Sequence, residues 1–313
     1  MMSDVVTARV PGKINLGLSV GPLREDGYHE LSTVFHAVSL FDHVTVQPAE
    51  TWSVHVTGPF ADRVPTDESN LALVAARTLA KRRQRRAAVP PVRIDIDKQI
   101  PVAGGMAGGS ADAAATLVAC RELWALDHLE NELLETVAAS LGSDIPFLLH
   151  GGTAIGSGRG EQVTPVLARG ELHWVLWAGE GLSLSTPAVY AELDRLRAEQ
   201  GVTASAPEPS GELLTALRRM DTDQVAEALH NDLQEAAVSL QPILADVLEA
   251  GKDLGARAGV VSGSGPTVAF LVGSQTEAID LSVGQATNGP TGEILRATGP
   301  VPGTQLVHRP GQA

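Results

Sequence analysis

Apolar and polar residues alternate loosely with a period of two over residues 5–10 and 14–20, as in half-buried strands. Between them Pro11-Gly12 reads as a turn. The same alternation returns over 42–47 and 52–57, predicting two more strands across a polar break. Residues 71–81 shift to the period of a helix, with Ser69 or Asn70 as its N-cap. Residues 92–96 alternate again and run straight into a glycine-rich stretch. Residues 111–124 are Ala-rich and apolar on nearly every turn, which predicts a buried helix. Residues 130–141 form an amphipathic helix that stops at Gly142. A strand follows over 174–178. Residues 188–250 are mainly helical, interrupted over 201–211 by a loop rich in Pro, Ser and Ala. Val260-Val261 and residues 267–272 are strands around a second glycine-rich turn. From Gly289 onward Gly and Pro recur, and an irregular, partly mobile tail is expected.

Strands dominate early and helices late. That order predicts an α+β architecture of two lobes, with the boundary near residues 165–172. At 313 residues and 43% apolar composition the chain can bury a sizeable core, filled mostly by Ala, Val and Leu because aromatics are only 4%. The formal charge of -14 argues against nucleic acid and anionic membranes as general partners. The basic run at 81–86 reads as the solvated end of a helix, since no aromatics interleave with it. Cys120 is the single cysteine, so no intrachain disulfide is possible, and its apolar setting predicts a core residue. No apolar stretch follows a basic start at the N-terminus, and no segment approaches the roughly 20 apolar residues of a membrane span. The expected location is cytoplasmic.

Four clusters can carry chemistry. The first is the stretch Pro101-Val102-Ala103-Gly104-Gly105-Met106-Ala107-Gly108-Gly109-Ser110, between a strand and a helix. Its glycines permit positive φ and close approach to a bulky anion, and the helix that follows aims free N–H groups and a positive dipole end at it. Phosphate binding is the favoured reading. The spacing is neither a Walker A loop nor a dinucleotide fingerprint. The second cluster is Leu141-Gly142-Ser143-Asp144-Ile145-Pro146, where Asp144 either caps a turn or orients an attacking hydroxyl. The third is Lys13-Ile14-Asn15, which places an ammonium beside an amide, together with Asp26-Gly27-Tyr28-His29 at a turn; alone, these read as a strand lysine and a hairpin tip. The fourth, Ser262-Gly263-Ser264-Gly265-Pro266-Thr267, either lays N–H groups against a ligand or reverses the chain. Residues 156–160 (Gly-Ser-Gly-Arg-Gly) read as a plain loop.

In this order and spacing the clusters resemble the GHMP kinases, which share an N-terminal lysine motif, a central glycine-serine loop and a C-terminal Gly-rich turn. The resemblance spans most of the chain. It implies an α+β two-lobe fold, residues 1–168 carrying the nucleotide loop and catalytic residues and 169–313 the second lobe, with the active site in the cleft between. It implies ATP and Mg²⁺, with no metal ligand identifiable beyond a possible role for Ser110. Lys13 and Asp144 would be the catalytic pair. Residues Pro101 to Ala111 would wrap the phosphates, with Asn70 and Lys98 near the adenosine.

The Asp26-Gly27-Tyr28-His29 run is similar to that of members whose acceptor is a cytidine diphosphate-linked methylerythritol, phosphorylated on its 2-hydroxyl. Tyr28 would then stack on the cytosine and His29 bond its edge. Thr186-Pro187 leads to Tyr190, a second aromatic over the base, and Asn15, Gly263, Ser264 and Gly265 complete the substrate set. Ala103, Met106, Ala107 and Ala111 depart from the family loop. Ala107 lacks glycine's ease at positive φ, and Ala111 lacks a hydroxyl.

Overall fold

The computed structural model describes residues 5–82, 89–102, 104–126, 131–179 and 181–308. Its first sheet is built on a long hairpin, β1 (Val6–Leu23) and β2 (His29–Pro48). The tip is the expected Asp-Gly turn: Gly27 takes φ 81°, Asp26 Oδ1 accepts from Tyr28 N, and Arg24 N donates to Tyr28 O. Pro11-Gly12, expected as a turn, is instead an irregularity inside one continuous strand, where the register with β2 shifts. The first half of β2 was not expected as strand. Ser32, Thr33 and His36 are buried there beside Val34 and Phe35, so both faces are covered and no alternation shows.

The short strand β3 (Ser53–Thr57) leads to α1 (Leu71–Arg82), capped by Asn70, whose Oδ1 accepts from Ala72 N and Leu73 N. Lys81 and Arg82 are exposed at its last turn, and 83–86 of the basic run lie outside the described residues. β4 (Val92–Asp97) then inserts between β2 and β3, pairing parallel with β3. α2 (Gly108–Leu123) follows the glycine stretch and is buried through Ala111, Ala113, Ala114, Ala115 and Leu117, with Cys120 inside the core. Next come α3 (Asn131–Leu141), the unexpected one-turn-plus α4 (Ile145–His150), and the hairpin β5 (Thr153–Gly158) and β6 (Gln162–Pro165). Residues 156–158, read as loop, are therefore strand paired to β2; Gly and Ser hide it by their low strand propensity. Glu130, expected to begin α3, lies outside the described residues.

The second sheet is ordered β11 (Glu293–Gly299), β7 (Leu172–Ala178), β10 (Val268–Val272), β9 (Ala258–Val261). It separates two cores. Trp174 and Leu176 of β7, with Ala269 and Leu271 of β10, face the first; Val175, Trp177, Val268 and Phe270 face the second. Helices α5 (Thr186–Gln200), α8 (Gln234–Leu240), α9 (Ile243–Asp253) and α10 (Gln275–Asn288) contribute buried residues to the second core. α6 (Gly211–Arg219) and α7 (Thr222–Ala228) pack on the first. Helix α10, capped by Ser274, had no sequence expectation. The irregular tail expected from Gly289 is instead β11 and, over Gln305–His308, β12, which pairs with β1. Both are edge strands with mixed exposure, so their apolar signal is weak. The two-residue β8 (His230–Asn231) also joins β1. No helix among the described residues is long and apolar enough to cross a membrane.

Candidate active site

A cavity of about 960 Å³ runs from the glycine stretch to the tip of the β1–β2 hairpin. At one end the glycine stretch is bolted down by its own carbonyls. Gly104 O accepts from Thr267 N (3.2 Å), Gly105 O from Lys13 Nζ (2.7 Å) and Ser262 Oγ (3.0 Å), and Met106 O from Lys13 N (3.3 Å). Gly105 sits at φ 75°, and Ala107 at φ 58° supplies the left-handed entry to α2, a conformation that costs alanine more than glycine. Gly108, Gly109 and Ser110 line the cavity at the first turn of α2. Their N–H groups have no partner within the helix, so they form an anion-binding end.

Lys13 is 4% exposed and donates to Asn15 Oδ1 (2.6 Å) as well as to Gly105 O, leaving one of its three protons. Asn15 Nδ2 donates to Thr33 Oγ1, which donates to Gly17 O, so the amide is oriented in turn. Burial pushes the Lys13 ammonium below the ordinary lysine range, and the negative charge of Asp144 pulls it back up. Asp144 stands at the N-cap position of α4, yet its carboxylate caps nothing and lines the cavity instead. The turn after β9 closes over Lys13: a Cβ at Gly263 would lie 3.3 Å from Lys13 Nζ. Asn231 of β8 holds that turn through Val261 O (2.7 Å) and Gly263 O (2.8 Å).

At the far end Tyr28 is 55% exposed, with the Arg159 guanidinium 5.0 Å from its ring centre. His29 is buried, stacks on Tyr190 (5.1 Å, 25°) and places Nε2 3.0 Å from Asp194 Oδ1. Thr186 Oγ1 meets Ser264 Oγ at 3.0 Å, joining the start of α5 to the glycine turn. Burial pushes the Tyr190 hydroxyl up, and Asp144 adds to the effect.

The cavity thus brings together Lys13, Asn15, Tyr28, His29 and Asp144. It also gathers Gly104, Gly105, Ala107, Gly108, Gly109 and Ser110 of the loop, Thr186, Pro187 and Tyr190 of α5, and Gly263, Ser264 and Gly265 of the second turn. Other expected residues lie elsewhere. Asn70 caps α1. Lys98 is fully buried, donating to Asp42 Oδ2 (2.6 Å), Asp112 Oδ2 (2.7 Å) and Gly108 O (2.8 Å), so it braces the start of α2 from beneath. Asp112 therefore lies beneath the loop rather than in the cavity, and burial with the nearby Asp42 raises its carboxyl. Pro101 and Val102 line a smaller neighbouring cavity of about 230 Å³ beside Phe60 and Pro266. Met106 and Ala111 are buried, and Ala103 lies outside the described residues. Arg159 and Asp194 were missed. Arg159 carried one faint signal, glycines on both sides; Asp194 carried none.

Comparison with known proteins places the chain among relatives of one family. The family pattern described as "GHMP kinases N terminal domain" matches residues 70–152, and "GHMP kinases C terminal" matches 213–282. A Mycobacterium bovis (strain BCG / Pasteur 1173P2) protein named 4-diphosphocytidyl-2-C-methyl-D-erythritol kinase is 56% identical over 306 residues, 97% of this chain and 94% of its own. A crystal structure of 4-(cytidine 5'-diphospho)-2C-methyl-D-erythritol kinase superposes with a TM-score of 0.74 at 33% identity, covering 93% of this chain and 98% of the other. Homoserine kinase from Cytophaga hutchinsonii superposes equally well, with a TM-score of 0.73 over 98% of each chain. At 18% identity that match speaks for the fold alone.

Proposed function

The chain belongs to the GHMP kinase family, and we propose that it transfers the γ-phosphoryl group of ATP to the 2-hydroxyl of 4-diphosphocytidyl-2-C-methyl-D-erythritol. The products are the 2-phosphate and ADP, in non-mevalonate isoprenoid precursor biosynthesis. The observation that carries this reading is the 56% identity over 97% of the chain to an enzyme of that name. Residues 1–168 form the nucleotide and catalytic lobe in this reading, and 169–313 the second lobe.

The α2 N-terminus and the glycine stretch hold the triphosphate, with Ser110 facing it. Tyr28, His29 and Tyr190 take the cytosine end of the acceptor, which directs its hydroxyl toward Lys13 and Asp144. Asp144 accepts the hydroxyl proton as the oxygen attacks phosphorus in line, and the Lys13 ammonium stabilises the charge that develops. Asn15 and Gly105 keep that ammonium in place throughout. Magnesium carried on the ATP phosphates supplies charge neutralisation when bound. Among the described residues no group of three or more His, Cys, Asp or Glu could hold a metal ion. The Ser110 hydroxyl, which lines the cavity at the start of α2, is the side chain that would face such a cation.

The test is ADP release from Mg-ATP with the cytidylylated methylerythritol, beside mevalonate, homoserine and galactose as separate acceptors. Turnover with the cytidine compound alone is expected. Turnover with another acceptor in its place would overturn the substrate assignment.

A further inference from the structure

Phe35 lies between the strand that carries Lys13 and the turn that carries Asp144. It pairs across the hairpin with Asn15, the partner of Lys13, and is only 3% exposed although it lines the cavity. The Lys13 ammonium stands over its ring, 5.8 Å from the centre. The far end of the ring reaches the neighbour of Asp144: a Cβ at Gly160 would lie 3.5 Å from Phe35 Cζ and 3.8 Å from Ser143 Cβ. Behind it Phe147 of α4, fully buried and one turn after Asp144, stacks on the ring at 4.9 Å and 27°. On β5, Gly156 leaves the ring its space, since a Cβ there would lie 2.5 Å from Phe35 Cε2. The glycines at 156 and 160, which read as a plain loop along the chain, thus seat this ring.

We propose that Phe35 keeps water out of the space between Lys13 and Asp144, so that breakdown of ATP stays tied to transfer. The proposal rests on the phosphoryl transfer proposed above. Nothing in an ammonium and a carboxylate distinguishes the hydroxyl of an acceptor from that of water. In the side reaction a water oxygen bonds to the γ-phosphorus, the bond from that phosphorus to the bridging oxygen breaks, and the proton passes to Asp144. The products are ADP and inorganic phosphate. Suppressing that reaction requires a group that occupies the space water would take, and water exclusion is how closed sites prevent hydrolysis. An aromatic face meets this need: it attracts the ammonium through its quadrupole and brings no water with it. Truncation to alanine would open a hole beside the remaining Lys13 proton and the Asp144 turn, and a hole with polar partners fills with water.

A role in packing alone predicts something else, an equal fall in transfer and in hydrolysis. The experiment follows ADP, inorganic phosphate and phosphorylated acceptor together, with Mg-ATP and saturating cytidylylated methylerythritol. It compares the unaltered protein with Phe35→Leu, Phe35→Val, Phe35→Ala and Phe147→Leu. Free phosphate per ADP is expected to stay within about threefold of the unaltered value for Phe35→Leu, which refills the space, and to rise at least about tenfold for Phe35→Ala. Phe35→Val falls between, and a rise of more than about threefold there decides the matter if the alanine variant does not fold. Phe147→Leu lowers the thermal midpoint but leaves the ratio unchanged, because the Phe35 ring stays in place. An unchanged ratio in the folded alanine or valine variant overturns the inference, as does an equal rise in Phe147→Leu. If the unaltered protein already releases phosphate as fast as it phosphorylates the acceptor, the inference falls while the proposed function stands. If it phosphorylates no acceptor, the proposed function falls and the inference with it.

Discussion

Replacing Gly105 with alanine tests whether the glycine stretch acts through its geometry. Gly105 sits at φ 75°, where an L side chain costs about 1–2 kcal/mol. A Cβ there would lie 1.9 Å from the Ser262 carbonyl oxygen and 3.1 Å from Gly265 N. Both neighbours are backbone, so neither can rotate aside, and the loop and turn must part by more than about 1 Å to reach ordinary contact. Parting them pulls the Gly105 carbonyl off Lys13 Nζ and Ser262 Oγ, two hydrogen bonds with a net contribution of about 1 kcal/mol each. The sum is about 3–4 kcal/mol of stability once loop and turn have parted. The same displacement of about 1 Å at the reacting groups costs on the order of 100-fold in rate. Turnover measured by ADP release should therefore fall at least about 100-fold, with a lowered thermal midpoint. Gly109→Ala is the stability control: nothing lies within 4 Å of its Cβ, and a helical alanine is favoured over glycine by up to about 1 kcal/mol. A Gly105→Ala protein with unchanged midpoint and turnover within about threefold would refute the reasoning.

Asp144→Asn should bind ATP and CDP normally yet turn over about 100- to 10,000-fold more slowly, the usual worth of a positioned base; near-normal turnover would remove Asp144 from that role. The same change withdraws the charge that raises Lys13, so the alkaline limb of the residual activity should move to lower pH. Lys98→Met leaves the Asp42 and Asp112 carboxylates buried without their cation and should cost about 3–5 kcal/mol, read as a drop in the urea midpoint. His36 is fully buried and held down to about 3, so below the unfolded-state value of 6.5 only the unfolded chain takes its proton. Stability from this group is complete above pH 6.5 and is lost as pH falls, about 2 kcal/mol by pH 5, and His36→Gln should flatten that part of the urea-midpoint profile.

The sequence was most legible where one physical signal acted alone. Residues 92–96 alternate because β4 has one covered face. The strand at 268–272 announced itself by an unbroken apolar run because the second sheet is covered on both faces. Legibility failed where two demands competed. Thr33 and His36 bond within the core beside the buried Ser32, and the polarity of the three erased the strand pattern of β2. Within the cavity, Lys13 and Asp144 both stand in motifs that the sequence singles out. Asp194 differs from any other helix acid only by what the fold sets against it, 165 positions away in sequence from His29. Lys98, which the family resemblance puts near the adenosine, has its ammonium beneath the loop on two carboxylates and a carbonyl, a placement set by the fold and not visible along the chain.

That placement bears on how a chain of net charge -14 would hold the triphosphate and diphosphate of the proposed reaction. The cationic side chains lining the cavity are Lys13 and Arg159, and Asp144 and Asp194 line it too, so side-chain charge balances there rather than dominating. The attraction for phosphate must come largely from backbone N–H groups at the start of α2 and in the second glycine turn, whose dipoles carry no net charge. Backbone donors are indifferent to which small side chain sits beside them. Alanine at 107 and 111 is therefore tolerable where the family loop has other small residues, even at the strain Ala107 bears. Donor direction, by contrast, is set by carbonyls pinned at Gly104, Gly105 and Met106. The loop can vary in composition but not in conformation, which is why a single methyl at Gly105 should weigh more than the alanines already present.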